Sequence, residues 1–126
     1  MFSHIMVGAN DVAEAKAFYD AVLGALGHEP GVIDEKGRCF YFTKEGIFSI
    51  SKPINGEPAC NGNGSTIGFA AKDSAAADSW HAAGLANGGI SCEDPPGVRA
   101  GGGGELYLAY LRDPSGNKIC ALHRIG

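Results

Sequence analysis

His4 and Cys120 are the residues of this chain best equipped for chemistry. An imidazole titrates near neutral pH and serves as a general base. A thiol becomes a nucleophile once a neighbouring base or cation draws it toward thiolate. If the two side chains meet, they form a nucleophile–base pair. If they do not, Cys120 is a small buried hydrophobe, as free cysteines often are, and His4 is a hydrogen-bonded residue lining a pocket. The phenols of Tyr41 and Tyr110 offer donors to a ligand oxygen, or pack with their hydroxyls satisfied locally. Met6, Cys39, Ser49, Thr66 and Leu122 fall on the same strand faces as these four and read as ligand contacts. Arg99, in a Gly-rich segment, supplies a guanidinium suited to a substrate carboxylate. Neither Ser-His-Asp spacing nor a carboxylate pair stands out. The run Gly101 to Gly104 is not followed by GK[ST], so it reads as a hinge or a disordered lid rather than a phosphate loop.

The elements that must position these groups come from an internal repeat. His4–Gly27 laid over Thr66–Gly89, an offset of 62, matches at 8 of 24 positions without a gap. Asp11 and Asp73 each open a helical pattern as an N-cap would. Phe18 and Trp80 place an aromatic at the same point of each helix, and Gly27 and Gly89 each follow the helix end, where glycine suits a left-handed turn. Each unit reads strand, helix, three strands. The first has strands near Phe2–Gly8, Glu29–Asp34, Arg38–Thr43 and Ile47–Lys52, with a helix over Val12–Ala25 on a 3.6-residue apolar stripe. The second has strands near Thr66–Ala71, Gly89–Glu93, Leu106–Arg112 and Lys118–Arg124, with a helix over Ser74–Asn87. DPSGN (113–117) is a strong turn signal. A first module over about residues 1–54, a linker at 55–64 and a second module over about 65–126 follow as parts of a single α+β domain, and 94–104 reads as a long mobile loop.

Alternation along the strands sorts two faces. Ile5, Val7, Phe40, Phe42, Phe48, Ile50, Ile67, Phe69 and Ile119 form an apolar face directed at the helices. His4, Met6, Cys39, Tyr41, Ser49, Ser51, Thr66, Gly68, Tyr110, Cys120 and Leu122 form a mixed face, whose apolar residues with a few placed polar groups suit a ligand cavity.

Composition narrows the function classes. The 126 residues hold 10 Lys and Arg against 14 Asp and Glu, a net charge of −4, without the clustered basic surface that nucleic acid needs. No apolar run reaches the ~18 residues of a membrane span, and the N-terminus meets Asp11 before an apolar stretch of secretory length forms. The chain is thus expected to be cytoplasmic, with Cys39, Cys60, Cys92 and Cys120 as reduced thiols. No CxxC pairing suggests structural zinc.

Three stretches together, HIMVGANDVAEAKAFYDAVLGALG, TIGFAAKDSAAADSWHAAGLANGG and YLAYLRDPSGNKICALHR, make the chain resemble the vicinal oxygen chelate superfamily of glyoxalase I, bleomycin-resistance proteins and extradiol dioxygenases. The resemblance covers nearly the whole chain. It implies two βαβββ modules, each sheet curling around a cleft, a small-molecule ligand and a homodimer. In the metal-dependent relatives the ligands come from the first and last strands of both modules, which here carry His4, Ser49, Thr66 and Cys120. Only His4 keeps a usual ligand type; Thr66 stands where His is expected, and Cys120, in NKIC, where NKIE is expected. A divalent metal needs three or four good donors. The expectation is therefore no cofactor, with His4 and Cys120 as the ligands if a divalent metal does bind. The glyoxalase I mechanism, in which metal and carboxylate share the work, does not carry over. What remains is a glyoxalase-like enzyme or enzyme relative of lyase or isomerase type, with His4 as base and Tyr41, Tyr110 and Cys120 shaping or polarising the substrate. The alternatives are a non-catalytic small-molecule binder of the bleomycin-resistance type and a homodimeric interaction module.

Overall fold

The computed structural model describes residues 1–101 and 103–126. It is an α+β protein of two βαβββ units, the second with one strand more than the pattern predicts. In the first unit, β1 (His4–Gly8) leads to α1 (Val12–Ala25), then β2 (Val32–Ile33), β3 (Cys39–Phe42) and β4 (Ile47–Ser51). In the second, β5 (Ile67–Ala70) leads to α2 (Ser74–Ala86), then β6 (Ile90–Ser91), β7 (Gly97–Gly101), β8 (Gly104–Arg112) and β9 (Lys118–Arg124). The sheets share one topology: β1-β4-β3-β2 and β5-β9-β8-β6, the first and last strands of each unit pairing in parallel. No helix among the described residues is long and apolar enough to cross a membrane.

The helices start as the repeat predicts. Asp11 accepts the Glu14 amide at 3.1 Å and Asp73 the Ala76 amide at 2.7 Å, each satisfying a donor that the first turn leaves free. α1 ends where the pattern predicts, and α2 ends one residue earlier than predicted. Gly27 takes the left-handed turn after α1 (φ 97°), but after α2 it is Gly88 (φ 93°), not Gly89. Gly89 has another duty: a Cβ there would lie 2.5 Å from Phe18, so its bareness lets the units close on each other. Phe18 and Trp80, the repeat-related aromatics, are both fully buried.

The expected loop at 94–104 is a correction. Gly97–Gly101 forms β7 and pairs antiparallel with β8 from Gly97 opposite Leu108 to Gly101 opposite Gly104. Its sequence, GVRAG, has too few apolar side chains to show alternation, and the ladder is carried by backbone groups that any sequence supplies. A hinge or disordered lid at Gly101–Gly104 is replaced by strand at Gly101 and Gly104; the part of that expectation at Gly102 lies outside the described residues. The strands expected at Glu29–Asp34 and Gly89–Glu93 shrink to two residues each. At the first, Pro30 has no amide to donate, and Asp34 turns the chain by accepting the Lys36 and Arg38 amides.

Both sheets turn one side to a shared core that holds Phe18, Tyr19, Val22, Phe48, Ile50, Trp80, Leu111 and Ile119. The units are also locked by polar groups. Asp113, buried in the β8–β9 turn, accepts the Tyr19 hydroxyl at 2.6 Å. It also accepts the amides of Ser115 and Asn117 and the Asn117 side chain. Asn117 donates to the Gly8 carbonyl at 2.9 Å, and the Asn10 amide donates to the Ser115 hydroxyl. The DPSGN motif is therefore both a turn and the clasp between units.

Candidate functional site

Strand register decides which side chains are free to meet a ligand. Tyr41 lies opposite Phe48 and Cys39 opposite Ile50, while Ile5 lies beside Phe48. Paired residues share a face, so Cys39 and Tyr41 join Ile5, Phe48 and Ile50 on the helix side. This reverses the expected assignment of β3. Phe40 and Phe42 are on the outer side, stacked at 5.9 Å, and Phe42 is 62% exposed. The physical reason is turn length. Phe42 pairs with Ile47 across four residues, whereas Arg112 pairs with Lys118 across five, 113–117. Tyr41 therefore corresponds to Leu111 and Phe40 to Tyr110, and a shift of one residue moves every side chain of a strand to its other face.

Tyr41 is consequently committed to the core. Its hydroxyl donates to Asp20 at 2.8 Å. Burial, then the bond to Asp20, holds that hydroxyl protonated far above its ordinary range. Burial opposes the charge on Asp20, yet bonds from Lys16, the Gly31 amide and Tyr41 keep its carboxyl below the ordinary range. Burial also pushes the Cys39 thiol up. Ser49 is on the outer face but buried, with its hydroxyl donated to the Ile5 carbonyl at 2.9 Å.

On the second sheet, Gly68, Cys120 and Tyr110 lie side by side across β5, β9 and β8 on the outer face, as expected. A Cβ on Gly68 would sit 3.2 Å from the Cys120 sulfur, so the glycine leaves room beside the thiol. Burial pushes the Cys120 thiol up to about 11, with Lys118 working the other way. Lys118 pairs with Glu93 and lies over the Tyr110 ring, 5.1 Å from its centroid. Leu122 is half-buried opposite Leu108. Thr66 is exposed just before β5. Arg99 spends its guanidinium on the carbonyls of Gly97 at 3.0 Å and Asp94 at 2.9 Å, pinning the bend ahead of β7 rather than reaching outward.

His4 is exposed at the start of β1, its Nδ1 2.8 Å from the Ser3 hydroxyl. Among the described residues no hydrogen bond joins His4 to Cys120. His4 instead borders a groove of about 600 Å3 between β1, the end of α1 and the β3–β4 turn on one side and β5 on the other. Its floor is apolar, with Leu23, Phe48 and Phe69, and its rim carries His28, Thr43, Glu45 and Lys72; Gly68 and the edge of Tyr41 also reach it. Sequence reasoning missed Glu45 and Lys72 as neighbours of His4, because a turn residue and a strand-end residue give no periodic signal. Met6 lines a different cavity, of about 710 Å3, on the outer side of the first sheet. The single cleft expected from the mixed face is thus divided, within one chain, among three places.

The residues at the superfamily's metal positions do not fit a divalent ion within this chain. Ser49 has given its hydroxyl to a backbone carbonyl, Thr66 is a neutral alcohol, and Cys120 is held as the neutral thiol rather than the thiolate a metal binds. Among the described residues no three of His, Cys, Asp and Glu converge.

The chain is similar to a glyoxalase/bleomycin resistance protein from Albidiferax ferrireducens T118, at 62% identity and a TM-score of 0.95 over 98% of this chain and 99% of that one. Two more distant structures share the fold. A glyoxalase/bleomycin resistance protein/dioxygenase family enzyme from Burkholderia phytofirmans PsJN matches at 16% identity and TM-score 0.73, over 98% of each chain. A lactoylglutathione lyase from Agrobacterium tumefaciens matches at 22% and 0.67, over 98% of this chain and 92% of that one. No curated protein matches. The sequence pattern of the superfamily spans residues 1–121. With the paired βαβββ topology and the DPSGN clasp, that match establishes that the chain belongs to the Glyoxalase/Bleomycin resistance protein/Dioxygenase superfamily.

Proposed function

We propose that this chain is a glyoxalase-like enzyme of lyase or isomerase type that acts on a small carbonyl compound without a tightly bound metal. The observation that carries the reading is the groove of about 600 Å3 bordered by His4, whose apolar floor and sparse polar rim match the usual make-up of small-molecule sites. His4 is the base that takes a proton next to the carbonyl. Lys72 or Thr43 on the same rim supplies the donor for the oxygen on which charge develops. Cys120 and Tyr110 face away from the core and contact ligand in a homodimer that brings the outer face of one chain against the other.

The test is a survey of small 2-oxo and 2-hydroxy carbonyl compounds, hemithioacetals included, by proton-exchange NMR and product analysis, on chelator-treated protein and on protein offered Ni, Zn, Mn and Fe. Turnover in the chelator-treated protein that falls by about a hundredfold or more in His4→Ala is the expected result. Turnover only with added metal would overturn the metal-free reading. Saturable binding without turnover would transfer the chain to the sequestering kind of relative.

A further inference from the structure

A further group of reactive side chains lies on the helix side of the second sheet. The Ser91 hydroxyl is 3.0 Å from Nε2 of His81. Ser91 ends β6 and pairs with Leu111, a core residue, so its side chain turns toward α2. His81 is on α2, and Asp78 precedes it by three residues, one turn back on the same helix face. The Asp78 carboxylate is fixed by the Tyr107 hydroxyl, which donates to it at 2.6 Å from β8. Ser91 is exposed and His81 is half-buried. Burial lowers the basicity of the His81 ring and Asp78 partly restores it, so the ring is neutral at neutral pH and free to take a proton. Neither Ser91 nor His81 lines the groove of His4 or the cavity of Met6, so this site stands or falls independently of the proposed reaction.

A hydroxyl, an imidazole bonded to it and a carboxylate beside the imidazole are a nucleophile, its base and a group that favours the charged form of the base. A neutral ring protonated at Nδ1 accepts the Ser91 hydroxyl at Nε2 and draws its proton as the oxygen attacks. β6 is the edge strand of its sheet, and the outward amides of such a strand are unpaired donors for the oxygen of an incoming acyl group. Leu85, one turn beyond His81 on the same face, is 48% exposed and gives the acyl chain an apolar rest. We propose that Ser91 is a self-acylating serine, which with His81 as its base takes the acyl group of a small activated ester or acyl phosphate. Oγ of Ser91 bonds to the acyl carbon, the bond from that carbon to the leaving oxygen breaks, and the leaving group keeps the electron pair. The hydroxyl proton passes to His81 Nε2 and from there to solvent, which leaves an ester on Ser91. The donor is an activated one because a single base and edge-strand amides lower the barrier by only part of what an unactivated amide requires.

The experiment treats the full chain with p-nitrophenyl acetate at neutral pH and follows p-nitrophenolate release and the mass gain of the protein. Peptide mass spectrometry then locates the acetyl group, after neutral hydroxylamine has removed thioesters from the cysteines. Ser79, exposed on the same helix, is the reference within the same molecule, so the first comparison needs no variant. Expected is acetylation of Ser91 faster than that of Ser79 by about a hundredfold or more, and slower by about a hundredfold in His81→Gln. In Asp78→Asn the ring-proton NMR signal of His81 should titrate at lower pH and Ser91 should acetylate more slowly, a pairing that a purely structural role of Asp78 does not produce. Repetition with acetyl phosphate separates the two donor classes. The proposal is overturned if Ser91 acetylates no faster than Ser79, if His81→Gln leaves its rate unchanged, or if the acetyl group is found elsewhere with Ser91 unmodified.

Discussion

The hairpins β3–β4 and β8–β9 occupy the same place in their units and turn equivalent positions inward, yet their tyrosines fall on opposite faces. Both lie beside the first strand of their unit in one topology. In the first, Tyr41 points into the core and gives its hydroxyl to Asp20. In the second, Tyr110 points away from the core and shares the outer face with Cys120. The difference arises at the turns. Thr43 closes the shorter one locally, its hydroxyl donating to the Gly46 carbonyl at 2.7 Å. Asp113 anchors the longer one and reaches across to Tyr19 of the other unit. One residue of turn length thus makes Tyr41 the counterpart of Leu111 and Phe40 that of Tyr110, so equivalent positions keep their faces while the two tyrosines have opposite surroundings.

Substitutions in matched pairs test this contrast. Phe48 and Phe42 sit on opposite faces of one hairpin, so Phe48→Ala should cost about 3–5 kcal/mol in urea unfolding. Phe42→Ala should stay within about 0.5 kcal/mol. Similar losses would mean that the register of β3 is not the one described. Asp113→Ala removes a buried acceptor of several bonds and strands the Tyr19 hydroxyl, for a loss of about 3 kcal/mol. Thr43→Ala, at a half-buried position of the shorter turn, should cost about 0.5–1 kcal/mol.

The tyrosines come next. Tyr41→Phe leaves the half-buried Asp20 short of a donor and should cost about 1–2 kcal/mol, whereas Tyr110→Phe should change stability by less than about 0.5 kcal/mol. The gentlest probe is the thiol of Cys120. Its folded value, about 11, lies above the ordinary 9.0. Its contribution to stability is therefore complete below about 9 and is lost as pH rises through about 11. A denaturation midpoint followed from pH 8 upward should fall in that window (~9 to ~11) and should fall less in Cys120→Ala. A thiol that instead titrates below pH 8 would revive the nucleophile reading.

Much of the fold was legible in the chain. The Asp11 and Asp73 caps, the helix over Val12–Ala25 and the strand over Lys118–Arg124 all follow from local rules: a carboxylate beside free amides, and a period of 3.6 or 2. β7 was not legible, because GVRAG carries no alternation and is a strand only through its ladder to β8. The face of β3 was not legible either. CFYF is apolar at every position, so alternation cannot say which pair faces inward. Of the candidate site residues, His4 and Tyr110 stand where they can meet a ligand. Cys39 and Tyr41 belong to the core, and Arg99 is taken up by the bend before β7.

Sequence alone determined what local chemistry dictates: two helices with their caps, the strand–helix–strand order of each unit, the DPSGN turn and an amphipathic character for most strands. Tertiary structure alone decided which side chains meet. Whether Ser91 comes beside His81, whether Glu45 and Lys72 come beside His4, and whether Tyr41 or Phe40 faces outward depend on register and on how two units close on one core. Those are properties of contacts between segments distant in the chain, and local propensity and periodicity carry no record of them.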